Sequence, residues 1–161
     1  MITKAMNDPV MIFLLSPGEL RAEAARARHS ASVLERRLNA LDREPLDTPE
    51  IQAARAAIFT KLAATRRFYG QKQREAEQRE AEVTALIEAL SNADSRLILR
   101  LRYCDGLHWS SGKAGHPSVL GGMAEAGLYY SERQMYRMHL HALAEARRLY
   151  EAGQGALCSS A

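Results

Sequence analysis

Aromatic residues make up only 6% of the 161 residues, and there are just two cysteines, Cys104 and Cys158. So few aromatics beside so much Ala, Arg, Glu and Leu argue against a β-sandwich and for long helices. Two cysteines far apart exclude a disulfide scaffold and predict free thiols in a reducing cytoplasm. C-x-x-C and H-E-x-x-H patterns are missing, and His139 and His141, two apart, point to different faces of a helix, so no metal or cofactor is expected. The order G-x-x-x-x-G-K-[ST] is absent around Gly112-Lys113. No Ser/His/Asp or paired-carboxylate set has a reason to converge, and an enzyme is not expected. The apolar run "VMIFLL" (10–15) is too short to span a bilayer and has no basic flank followed by a cleavage site. It reads as an N-terminal packing segment of a cytoplasmic protein with no membrane partner.

What is present is helical patterning at a length suited to one small domain with an extension. Apolar residues at 47% and charged residues at 25% allow a packed core. Ser16-Pro17-Gly18-Glu19 has the form of a helix start: Ser16 as cap, Pro17 in the first turn, Glu19 closing a capping box, Leu15 and Leu20 as the staple. Leu20, Ala24, Ala27, Ala31, Leu34, Leu38 and Leu41 then alternate four- and three-residue steps, a coiled-coil seam. "DREPLDTPE" (42–50) breaks the helix, with Asp47 or Thr48 free to cap the next. That second helix is expected from about Pro49 towards Leu90, with Ile51, Ile58, Leu62, Tyr69, Ala76, Val83, Leu86 and Leu90 on its seam. Arg55, Thr65, Lys72 and Arg79 interrupt this seam. Residues 70–82, nearly all polar, are expected to stand as a solvated neck beyond the reach of the shorter first helix.

The pattern therefore predicts an all-α protein. An N-terminal antiparallel coiled-coil hairpin would occupy residues 1–83, a helix-turn-helix domain 84–152, and a flexible tail 153–161. Two helices alone bury little surface, so self-association through residues 17–90 is expected.

In the C-terminal part, Ser91 can cap a compact helix over "SRLILRLRYCDG" (95–106), with Leu97, Leu101 and Cys104 on one face and Gly106 as terminator. A Gly-rich stretch "SSGKAGHPSVLGG" (110–122) follows, then either a displaced short helix around 119–126 or a degraded one, with Gly127 as the turn. Ser131-Glu132-Arg133-Gln134 forms another capping box, stapled by Tyr130 and Met135. Met135, Met138, Ala142, Ala146 and Leu149 make the buried stripe, with His139 and Leu143 at its margin. Arg133, Tyr136, Arg137 and Leu140 line up on the other face. Arginines at the first turns of such a helix suit the major groove, where the guanidinium fork pairs with guanine O6 and N7. The candidate DNA-binding residues are Arg133 and Arg137 as base readers, with Tyr136, Gln134 and His141 positioning the helix. The Gly-rich loop has two readings, a wing touching the DNA backbone through Lys113 and His116, or an inert insertion. Tyr129, Tyr130 and Trp109 read as packing residues.

"RLILRLRYCDGLHW" and "YYSERQMYRMHLHAL" resemble sigma-70 region 4-like domains, most of all the phage ArpU/RinA-type transcriptional regulators. The matching positions are Arg102, Tyr103, Gly106, Trp109, Tyr130 through His139, Ala142 and Leu143. The resemblance covers roughly residues 84–146, and the Trp109-to-Tyr130 interval is longer here than in the family. It implies sequence-specific binding to double-stranded DNA at a phage or prophage promoter, more as activator than repressor, with RNA polymerase as a further candidate partner. Against this, residues 84 onward hold eight Lys/Arg and seven Asp/Glu, so basic character is confined to helix faces such as Arg96, Arg100 and Arg102. Two other readings are a terminase-small-subunit-like packaging adaptor and a helical interaction or inhibitor protein that binds no DNA.

Overall fold

The computed structural model describes residues 8–110 and 116–159, with side chains through residue 153. Among the described residues the chain is all-helical: α1 (Pro9–Asp42), α2 (Pro49–Glu88), α3 (Ala93–Leu99), α4 (Val119–Glu125) and α5 (Glu132–Ser159). The helix of α3 continues through Arg100–Cys104 as a wider π turn. None of these helices is long and apolar enough to cross a membrane. The chain divides into two compact units. One holds the residues up to Pro17 together with those from Gln78 onward, and the other is Gly18–Glu77.

The unit of residues 18–77 is an antiparallel helical hairpin. Arg55 pairs with Asp42 at 2.9 Å, Arg66 with Glu35 at 2.6 Å, and Lys72 with Glu23 at 3.2 Å, so α1 numbers fall as α2 numbers rise. Its core is Ala31, Leu34 and Leu62, with Leu38 and Ile58 packed against it. Every seam position of both helices within this unit is buried or half-buried, the interrupting Arg55, Thr65 and Lys72 included. Arg55 and Lys72 lay their stems on the seam and turn their charges outward to carboxylates, while the Thr65 hydroxyl donates to Lys61 O at 2.8 Å. Thr48 caps α2, its hydroxyl accepting from Ile51 N–H at 3.3 Å. Asp47 instead accepts from Gln52 at 3.1 Å.

Ser16-Pro17 is no helix start. α1 runs unbroken from Pro9 to Asp42, with Pro17 inside it and fully buried. The cap is Asp8, whose carboxylate accepts from Val10 N–H at 3.1 Å, and the proline in the first turn is Pro9. Proline at 17 removes the N–H that would bond the Phe13 carbonyl four residues back. Ser16 supplies the missing donor: its hydroxyl reaches Phe13 O at 2.6 Å. Leu15, expected as half of a staple, stays exposed. The neck of residues 70–82 is also less bare than its polarity suggests, because Ala76 is 2% exposed. Further on, in the other unit, Arg79 lies over the Phe13 ring at 5.3 Å.

The second unit is built on one larger core. Val10 and Leu14 of α1, Val83, Ile87 and Leu90 near the end of α2, and Ile98, Leu99 and Tyr103 meet Val119 and Met123 of α4 and Met135, Ala142, Leu143 and Ala146 of α5. Leu97, Leu101 and Cys104, expected on one face of α3, are half-buried, and the adjacent Ile98 is fully buried. The wider turn at 100–104 shifts the register, so Tyr103 takes the inward position. Asn92, not Ser91, caps α3, its side-chain oxygen accepting from Asp94 N–H at 2.9 Å and Ser95 N–H at 3.1 Å. Ser91 serves differently, its N–H donating to Glu145 of α5 at 2.9 Å. Gly106 ends the helix at φ +68, and Leu107 N–H reaches back to Leu101 O at 3.0 Å.

Candidate functional site

α5 begins where the capping box predicts. The Ser131 hydroxyl accepts from Gln134 N–H at 3.2 Å, while Ser131 N–H and the hydroxyl both donate to Gln134 Oε1, at 2.9 and 3.0 Å. Tyr130 is half-buried before this cap and donates to Asp94 at 2.6 Å, tying the start of α5 to α3. Met135 is buried behind it. These contacts fix the rotation of α5 and so decide which side chains face outward.

Arg133, Tyr136, Arg137, Leu140 and His141 all face solvent, with Tyr136 59% and Leu140 49% exposed. At 3.6 residues per turn they share one face about 140° wide. No acidic residue lies on it between Arg133 and Arg148; Glu151 comes about five turns after Arg133. Neither arginine has an ion-pair partner among the described residues, although Arg133 and Arg137 are neighbours four apart whose like charges repel. An exposed tyrosine and leucine beside two unanswered guanidinium groups at the positive end of a long helix is a surface suited to a partner carrying negative charge.

Gln134 is exposed but committed to the cap, and His141 sits at the edge of the face. Lys113 lies outside the described residues. His116 is exposed, two residues before Ser118. Val119 N–H bonds His108 O at 2.8 Å and Leu120 N–H bonds Trp109 O at 3.1 Å, which ties the start of the next helix to the residues that follow Gly106. The displaced short helix exists as α4, capped by Ser118 at 3.0 Å from Gly121 N–H. Gly122 lets α4 approach α3, since a Cβ there would stand 2.9 Å from the Leu101 methyls. Gly127 turns the chain after α4 at φ +81.

Tyr129 is not a packing residue: it is 83% exposed in the connection just before α5. A Tyr-Tyr pair ahead of a cap can send only one ring into the core, and Tyr130 takes that place. The other basic faces are tied up internally. Arg96 donates to Leu90 O at 2.6 Å, Arg100 pairs with Glu88, and Arg102 donates to Leu107 O at 2.8 Å while lying 5.3 Å over Trp109. Among the described residues, that leaves the α5 face as the place in this unit where cations and exposed apolar groups coincide.

Behind that face sits a buried polar cluster. The Tyr103 hydroxyl meets His139 Nε2 at 2.9 Å and Met11 Sδ at 3.3 Å, and Trp109 stands edge-on to His139 at 4.5 Å. Burial, reinforced by the Arg102 charge, lowers the His139 pKa to about 4. Burial pushes Tyr103 up to about 12. Half-burial likewise raises the free Cys104 thiol, which favours the unreactive protonated form.

Among known families, a model described as Protein of unknown function (DUF1492) matches residues 51–124. The match runs from the first turns of α2 into α4, somewhat less than half of the chain, and stops before α5. No curated protein and no solved structure matches the chain.

Proposed function

We propose that this protein is a sequence-specific DNA-binding transcriptional regulator of the phage ArpU/RinA type, with α4, the connection through Gly127 and α5 acting as a sigma-70 region 4-like helix-turn-helix. The observation that carries this is the acid-free N-terminal part of the α5 face, where Arg133 and Arg137, with no ion pair among the described residues, stand beside exposed Tyr136 and Leu140. In the major groove each arginine fork offers two parallel donors to guanine O6 and N7, and Leu140 suits a thymine methyl. Tyr136, His141 and the newly apparent Tyr129 flank the pair and position it on phosphate and sugar. The short α4 packs on α3 and its π turn, and α5 packs on α3, where the Tyr130–Asp94 and Ser91–Glu145 bonds tie it down. Self-association through residues 17–90 supplies a second reading head, which offsets the modest charge of one. RNA polymerase is the natural further partner of an activator, and no catalysis is proposed.

The test is selection from a randomised duplex pool, followed by fluorescence-anisotropy titration of the enriched duplex. Wild type selects one sequence; Arg133→Ala/Arg137→Ala keeps its helicity by circular dichroism and loses that preference by about tenfold or more, since a bidentate arginine contact discriminates by roughly 1–3 kcal/mol. A double variant that keeps the full preference removes α5 from the reading role.

A further inference from the structure

Residues 51–74 contain six basic side chains (Arg55, Lys61, Arg66, Arg67, Lys72 and Arg74) and no acidic one. Three of the six are answered by carboxylates: Arg55 by Asp42 and Asp47, Arg66 by Glu35, and Lys72 by Glu23 and Glu75. Lys61, Arg67 and Arg74 are exposed and have no ion pair among the described residues. The division follows the helix geometry. The answered cations lie on or beside the seam that packs on α1, within reach of its carboxylates. Arg67 and Arg74, seven apart, lie on the opposite ridge of α2, where α1 cannot reach, and Lys61 lies on the Phe68 flank between that ridge and α1.

The character of that ridge narrows the partner. Stepping by four and three, Thr60, Ala64, Arg67, Gln71 and Arg74 are all exposed and none is acidic or a large apolar residue. The exposed rings of the unit, Phe59 and Phe68, fall on the two flanks instead. A protein helix docking here would find no apolar anchor on the crest, and a second copy would bring arginine against arginine. A polyanion needs neither anchor nor counter-charge. Arg67 and Arg74 are separated by about 10 Å along the helix at 1.5 Å per residue, and a DNA strand advances about three nucleotides in that length.

We infer that Lys61, Arg67 and Arg74 form a second DNA contact, one that grips the phosphate backbone of the duplex without reading sequence. This deepens the DNA-binding reading above and rests on it. Guanidinium and ammonium groups would displace counterions from phosphates, so the contact appears as affinity for any duplex and as salt dependence, while α5 supplies the preference among sequences.

The experiment uses the full chain as wild type, as Lys61→Gln/Arg67→Gln/Arg74→Gln, and as Arg133→Ala/Arg137→Ala. Each is titrated by anisotropy across a salt series against the selected duplex and a random-sequence duplex of equal length. The triple variant is expected to lose affinity for both duplexes by the same factor, to keep their ratio, and to show a log–log salt slope shallower by about 2 to 3. Arg67→Gln alone gives about one unit of the same change, which guards against misfolding of the triple variant. The α5 variant loses the ratio instead. A triple variant with the wild-type slope and affinity overturns this inference, and the regulator reading survives on the intact ratio. Wild type without sequence preference, whose random-duplex binding the triple variant still weakens, upholds the ridge contact and overturns the regulator reading. Wild type that binds no duplex at low salt overturns both.

Discussion

A single histidine shows how much the burial of one side chain decides. His139 lies on α5, three residues from the outward-facing Tyr136, yet it is 7% exposed and hydrogen-bonded to Tyr103. Its Nδ1 has no hydrogen-bond partner among the described residues. Protonation there would set a charge in an apolar shell close to Arg102, which explains the pKa near 4. The unfolded chain takes up a proton near the ordinary value of about 6.5, so the unfolded state binds more protons between these limits. The resulting stability is fully present above pH 6.5 and is lost as the pH falls towards 4. His139→Phe should therefore flatten the decline of the melting temperature between pH 7 and pH 4, while costing stability at pH 7 because the Tyr103 hydroxyl is left with only the weak Met11 sulfur acceptor. A variant whose melting temperature falls as steeply as wild type over that range would show that His139 already titrates in the folded state. The sequence put this histidine at the margin of the buried stripe, which periodicity allows. Only the partner shows why it is inside, because Tyr103 lies 36 positions away.

Helix by helix, what could be read from the sequence was set by whether the deciding bond is local. The capping box at Ser131–Gln134 was legible because donor and acceptor are three residues apart and no tertiary contact competes. The same local logic misplaced the start of α1, because Ser-x-x-Glu with proline after serine fits two structures. One is a helix start; the other is a helix interior in which the serine hydroxyl replaces the N–H that proline lacks. The fully buried Val10 and Leu14 favour the second, since a helix over 9–16 sends both into the core. Ser16→Ala should then leave the Phe13 carbonyl without a donor and destabilise the protein by about 1–2 kcal/mol in urea denaturation. Were α1 to begin at Pro17, Glu19→Ala would cost as much; with the helix continuous, Glu19 is exposed mid-helix and the change should be near neutral. Gln134 separates the two roles given to α5 in the same way. Gln134→Ala should cost about 0.5–1 kcal/mol by loss of its bonds to Ser131 and leave sequence preference unchanged. Loss of preference at full stability would make it a reader. The wider turn at 100–104 was not legible at all, as nothing in "RLRYC" distinguishes it from an ordinary turn before the glycine is reached.

Across the whole molecule, the two units differ in what holds them. The unit carrying α3, α4 and α5 has fourteen buried residues in one cluster, whereas the hairpin of residues 18–77 has three, Ala31, Leu34 and Leu62. Alanine at seam positions lets α1 and α2 approach closely but removes little apolar surface from water, on the order of 25 cal/mol per Å² of apolar area buried. Phe59 remains 63% and Phe68 47% exposed on the flanks. In the self-associated form proposed above, a second copy laid against the Phe59 flank would stabilise a hairpin so thinly cored and leave Lys61 and the Arg67–Arg74 ridge outward. Self-association of this kind ties stability to concentration, because the associated form is populated at the expense of the unfolded chain by mass action. Over a roughly hundredfold range of protein concentration, the melting temperature should rise and light scattering should show a mass above that of the monomer. Phe59→Ser should abolish both, since an exposed ring contributes only at an interface, while Leu62→Ala should destabilise the hairpin by about 2–5 kcal/mol at every concentration. A monomer mass throughout, with a melting temperature independent of concentration, would mean that the hairpin stands without a second copy. Sequence-specific binding would then rest on one reading head and on whatever grip the α2 ridge provides.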